Sequence, residues 1–279
     1  MQSKRYNNPV RRSKNIGTAK QGRGQNNRHV VPQSWSWNGK SVFYEELRDA
    51  VIIPVNIGAH TFRIFIEPTN NGYVHPCIPD DLVRVFSLIP ELHRRDIEII
   101  ALRQPSKKEE LLKPTWGRMA YFANVGKYSG PGIFLTACQP NFTIKWPKSI
   151  MPEDEKELKL LKEHGHTVSS GKRNIIITTS VESWRNTQLY FTLPHEVGHY
   201  VHYIECVINP IQKDNELQDK DKLEKHFFAK EFRDKESYAN QYARKFYSKM
   251  KKQGVLPFPR VIDENKIKEQ GMKIEWFVP

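Results

Sequence analysis

The sequence predicts an α+β fold, a mixed β-sheet lying against helices. Three observations carry this. Short β-branched and aromatic runs with period-two alternation fill residues 41–136. Stretches with apolar residues at helical spacing dominate residues 152–250. The two kinds of pattern are grouped along the chain rather than strictly alternating, which argues against a parallel α/β sheet.

The elements follow in order. Val51–Val55 and Thr61–Ile66 read as paired strands, the second alternating cleanly. Asn70-Asn71-Gly72 marks a turn. Asp80–Leu88 reads as a helix opened by an acidic residue, with Leu82, Val85, Phe86 and Ile89 on one face. Asp96–Leu102 reads as a strand, and Gly117–Ala123 and Gly132–Thr136 as two more joined by a Gly-rich turn. Pro152–His164 starts acidic, ends basic and is closed by Gly165, as a helix should be. Asn174–Thr179 is a β-branched strand. An apolar helix is expected from Pro194, with the proline in its first turn and Thr192 as a cap.

That last helix carries His195-Glu196-Val197-Gly198-His199. Residues four apart on a helix share a face, so two imidazoles at this spacing can hold one metal ion between them. The residue after the first His lies about 100° round the helix, where its carboxylate reaches a water on that metal. Two ligands, a base and an open position make the arrangement of a zinc hydrolase. A third ligand is offered by the next helical run, Glu236-Ser237-Tyr238-Ala239-Asn240-Gln241-Tyr242-Ala243. Ala239 and Ala243 form a small close-packing face, while Glu236 and Asn240 share another. Glu236 can supply a carboxylate, and Asn240 can hold a ligating imidazole by its second nitrogen. Glu205, His202 and His226 are rival third ligands. Glu205 sits six residues past His199, but His202 stands where a chain-turning glycine would be needed to bring it back.

These two segments together resemble the ImmA/IrrE-like zinc metallopeptidases, compact members of the gluzincin group with a zincin-like fold. The resembling residues are Phe191-Thr192-Leu193-x-His195-Glu196-x-Gly198-His199-Tyr200 and Glu236-x-x-Ala239-Asn240-x-x-Ala243. The chain departs from the pattern in Pro194 and in a long charged stretch before Glu236. The resemblance implies His195, His199 and Glu236 as zinc ligands and Glu196 as general base. The expected function is a zinc-dependent endopeptidase acting on a protein or peptide. An oxyanion formed at the scissile carbonyl needs a second stabiliser; Tyr200, His202, Tyr238 and Tyr242 are the candidates near the motifs. Zincins bind substrate backbone along a sheet edge, for which residues 117–136 are the best stretch.

Charge divides the chain. Residues 1–40 hold nine Lys or Arg and no acid, in a protein of net charge +13. Such a segment buries too little apolar surface to offset its ordering entropy, so it reads as a basic, largely disordered N-terminal arm. The domain expected over residues 41–279 divides into a sheet-rich part (41–150), a helical insertion (151–173), a metal-site part (174–250) and a C-terminal extension (251–279). The arm raises two alternatives: weak nucleic-acid binding, and with it a protease acting on DNA-bound proteins. A third alternative is a sensing or binding module without open substrate access. No run of eighteen apolar residues, and no apolar leader, points to a membrane or to export. Cys77, Cys138 and Cys206 are odd in number and widely spaced, which excludes a disulfide framework and fits a cytoplasmic setting.

Overall fold

In a computed structural model the chain is described for residues 36–37, 40–41, 43–106, 109, 115–150, 152–213 and 219–279. It divides into two units, residues 1–44 and 45–279. Residues 1–35, most of the expected basic arm, lie outside the described residues. In the first unit Ser36–Trp37 (β1) pairs antiparallel with Lys40–Ser41 (β2). Phe43–Glu45 (β3) follows and runs across the boundary of the units at Tyr44.

The second unit is α+β, as expected. Its main sheet contains Val51–Ile57 (β4), His60–Ile66 (β5), Ile99–Arg103 (β6), Gly117–Val125 (β7) and Tyr128–Thr136 (β8). In space they run β7-β8-β6-β5-β4. β6 is parallel to both neighbours, while β4–β5 and β7–β8 are antiparallel. The sheet is therefore mixed. The register between β7 and β8 shifts between Ala120 and Ala123, a bulge of the kind often found beside active sites.

One sheet face supplies Phe62, Ile64, Ile66, Ile133 and Leu135 to the main core. Helix α1 (Pro79–Leu88) packs Leu82, Val85 and Phe86 into it, and a single helical turn, Glu91–Arg94 (α2), follows. A longer helical run supplies Leu189, Leu193 and Val197. That run begins earlier than the sequence predicts. Val181–Thr187 (α4) passes through a π-helical turn, Gln188–Thr192, into Leu193–Tyr203 (α5), and a second π turn, Ile204–Ile208, leads to Asn209–Lys213 (α6). Thr192 is thus no cap: its backbone is helical and its side chain makes no cap bond. The physical reason is Pro194, which cannot donate to a carbonyl one turn back and crowds it. The wider turn solves this, with Leu193 N–H bonding Gln188 O instead.

A second sheet was not foreseen as such. Thr143–Pro147 (β9), Thr167–Ser170 (β10) and Asn174–Thr178 (β11) lie in the order β10-β11-β9, all antiparallel. Helix α3 (Pro152–Glu163) belongs with them, its Leu158 and Leu161 packed with Ile177 in a small separate core. Residues 151–173 are therefore part of a small α/β layer rather than a helical insertion. The charged stretch before Glu236 contains helix α7 (Lys220–Ala229), and the long helix α8 spans Phe232–Lys252. Residues 251–279 are no mere extension. Leu256, Phe258, Ile267, Met272, Trp276 and Phe277 are buried in the main core, and His75 N–H bonds Trp276 O. The three cysteines are free.

Candidate metal centre

The centre lies where α5 crosses α8. A Cβ placed on Gly198 would lie 2.9 Å from Tyr242 Cβ and 3.0 Å from Ala239 Cα. Glycine is thus required there for the two helices to approach so closely. Ala239 and Ala243 are fully buried on the facing side, the small face read from the sequence. This contact brings Glu236, one turn before Asn240, opposite the two histidines.

His195 Nε2 and His199 Nε2 lie 3.0 Å apart. Glu236 Oε2 is 3.4 Å from the first and Oε1 3.3 Å from the second. Donors about 2.0–2.1 Å from one tetrahedral ion would stand about 3.3–3.4 Å apart. The three side chains therefore form one face of such a site and can hold a metal ion; among the described residues no other group of this kind occurs. The donors are two imidazoles and a carboxylate, and the fit is good.

Electrostatics agree. Burial disfavours the Glu236 carboxylate, but hydrogen bonds from His195 and His199 outweigh it and hold its pKa down to about 2. Burial likewise works against the His195 imidazolium, yet Glu236 and Glu196 raise its pKa above the usual value. The two carboxylates thus favour positive charge at the imidazoles. Glu196 is buried beside the three donors, and burial raises its pKa despite the nearby imidazoles. The Met119 backbone hydrogen-bonds its carboxylate. Thr136 N–H bonds Trp116 O, so in this antiparallel ladder the main chain of Gly117 and Met119 faces away from β8. β7 is held against the helical run at Gly117, where a Cβ would meet Thr192 Cγ2 at 2.8 Å. Gln188 adds a buried tie, its Nε2 donating to Trp116 O and Thr136 O.

Asn240 lies against His195 and contributes to its raised pKa. The contact is loose, since the buried Nδ1 of His195 meets no partner at full hydrogen-bond geometry. Glu205 is exposed and accepts a hydrogen bond from Tyr238; His226 is exposed. Neither joins the donor group. The four candidate oxyanion stabilisers are placed elsewhere. Tyr200 is buried and bonds Asp96. His202 and Tyr238 stack on each other at 4.4 Å. Tyr242 pairs its hydroxyl with His93 Nδ1 at 2.8 Å. Tyr121 of β7 was not foreseen. It lines the cleft, and its hydroxyl donates to His199 O at 3.4 Å. Burial and the charges of Glu196 and Glu236 raise its pKa. Its alternation with Met119 along β7 was the available signal, because both side chains share one face.

The centre opens on a cleft of about 900 Å³. His195, Glu196, His199, Glu236 and Asn240 line it, with β7 on one side and β9 and α3 on the other. No helix among the described residues is long and apolar enough to cross a membrane. Compared with family models, curated proteins and solved structures, the chain finds no match.

Proposed function

We propose that the protein is a zinc-dependent endopeptidase of zincin-like fold that hydrolyses peptide bonds in a protein substrate, as the ImmA/IrrE-like metallopeptidases its motifs resemble do. One observation carries the reading: His195, His199 and Glu236 converge on a common point beside a buried carboxylate, at the floor of an open cleft. Two imidazoles and a carboxylate suit zinc. Zinc held there would supply Lewis acidity, making a water acidic enough to lose its proton near neutral pH.

The chain's own groups do the rest. Glu196 takes the proton of the attacking water, and the Met119 backbone and the buried surroundings fix its orientation. The same carboxyl returns the proton to the leaving amine. Tyr121, which lines the cleft, is the phenol assigned to a developing oxyanion, its hydroxyl exchanging His199 O for that acceptor. Gly117 and Met119 line the cleft, so an extended substrate can lie along this part of β7. Access through the cleft favours turnover over a closed sensing module. A cytoplasmic setting fits the free cysteines. A second reading, a protease working on nucleic-acid-bound proteins, rests on nine basic residues without an acid in residues 1–40.

The test is the zinc-loaded protein on a panel of unfolded proteins, against Glu196→Gln. The wild type should cleave; the variant should keep its metal and lose cleavage, because glutamine keeps the shape but cannot take a proton. Equal turnover by both would sink the mechanism. Faster cleavage with added DNA would favour the second reading, and identical rates would count against it.

A further inference from the structure

We infer that the substrate segment is an extended peptide carrying a large uncharged apolar side chain near the scissile bond, and that the second sheet selects it. This rests on the proposed peptidase reading. The cleft has two unlike sides. Around the donors it is charged, with Phe191 against the His195 ring at 5.7 Å and Met119 and Tyr121 close by in sequence on β7. Opposite, Ile144 and Trp146 of β9, Ile150, and Leu160 and Leu161 of α3 line it. Of these, Leu161 is buried and the other four are only half-buried. The one charged group on that side, Glu157, already has a partner. A wall of unsaturated apolar side chains facing a row of charged donors is the pattern of a ligand site, with polar groups for orientation and apolar ones for affinity.

The wall is also held in place. Ile144, Trp146 and Ile150 pack on the small core of Leu158, Leu161 and Ile177. Trp116 joins both, packing on that core and lining the cleft beside Gly117. A peptide laid along β7 would thus turn alternate side chains toward this wall. Acidic side chains would meet Glu157 there, whereas the cations that line the cleft, Arg118 and Lys235, stand on β7 and α8. Covering the apolar surface with a Leu or Phe side chain is favourable, and covering it with Asp is costly. The far end of α8 adds Phe232, which is 75 % exposed and one turn before Glu236 on the same face.

The test uses the full chain loaded with zinc and a set of peptides in which one position at a time is Leu, Phe, Ala or Asp. At one position Leu or Phe should exceed Asp in kcat/KM by roughly ten- to a hundredfold. Trp146→Ala should remove most of that preference, chiefly through KM, while Trp146→Phe retains it. Ile150→Glu gives an independent variant, which should turn against Asp further. Binding is read separately by tryptophan fluorescence with Glu196→Gln, since Trp116 and Trp146 line the cleft. Equal rates for apolar and acidic peptides overturn the inference, as does a preference unchanged in both wall variants with native circular dichroism. If the wild type cleaves nothing yet apolar peptides still bind preferentially and Trp146→Ala abolishes this, the wall inference stands and the peptidase reading falls. Neither cleavage nor preferential binding overturns both.

Discussion

The two sides of the cleft are built on different principles. The donor side rests on a helix crossing with almost no slack: Gly198 against Ala239, with Ala243 buried beyond. The opposite side rests on a three-stranded sheet and one helix around a core of three buried residues, with half-exposed side chains toward the cleft. Close backbone approach fixes positions to fractions of an ångström, which chemistry at a metal requires. An apolar wall tolerates exchange of similar side chains, which suits the choice of substrate. The first side should therefore fail abruptly on substitution and the second gradually.

The sharpest break is at the crossing. Gly198→Val should force α5 and α8 apart, because the new side chain meets the Ala239 and Tyr242 backbone-proximal atoms rather than flexible ends. Loss of cobalt or zinc binding in equilibrium dialysis is expected, with a stability loss of about 1–3 kcal/mol in urea unfolding. Full metal affinity in this variant would show that the crossing does not set the site. Next, Glu236→Ala should weaken metal binding severely, whereas Glu205→Ala should leave it unchanged, since Glu205 is exposed and bonded to Tyr238. The reverse result would replace the donor set. Asn240→Ala should cost less, about ten- to a hundredfold in affinity, as expected when a group orients a ligand without touching the ion.

What the sequence made legible follows the same division. The donor side was readable because its spacing is obligatory: a step of four positions from one imidazole to the next, one helical turn between Glu236 and Asn240, and small residues where backbones meet. The main sheet was readable where alternation is clean, as in His60–Ile66, where Phe62, Ile64 and Ile66 face the core. The second sheet was hidden by composition. β9 carries Lys145 and Pro147, and β10 carries Ser169 and Ser170, residues that blunt exposed strands and dilute the pattern. Helix α7 was lost in its charge, since Glu224 and Phe227 are its only fully buried residues. The π turn before Pro194 has no period of its own, and the proline reads as a helix start. Tyr121 lay outside the motif neighbourhood because the contact that places it is tertiary, 78 residues away at His199.

The mildest break acts on the joint between the two sides, in acid. His164 and His166 flank Gly165 between α3 and β10, and both bond the Thr187 hydroxyl of α4, at 3.1 and 2.9 Å. His166 Nδ1 also meets Ser183 Oγ at 3.1 Å. Burial pushes each pKa down to about 4, helped for His164 by the charges of His166 and Lys251. His75, buried against Phe277, is pushed to about 4 as well. The folded state therefore resists protons that the unfolded chain takes up near pH 6.5. Stability is complete above that pH and falls as pH drops from about 6.5 toward 4, by on the order of 2 kcal/mol per group at pH 5. Urea unfolding at pH 7.5 and 5.0 measures it. His166→Gln, which keeps hydrogen-bonding atoms but cannot titrate, should flatten part of the slope while leaving stability at pH 7.5 nearly unchanged. A wild-type stability that is level across this range would mean that the histidines are solvated and that the wall is not tied to the helical run through Thr187.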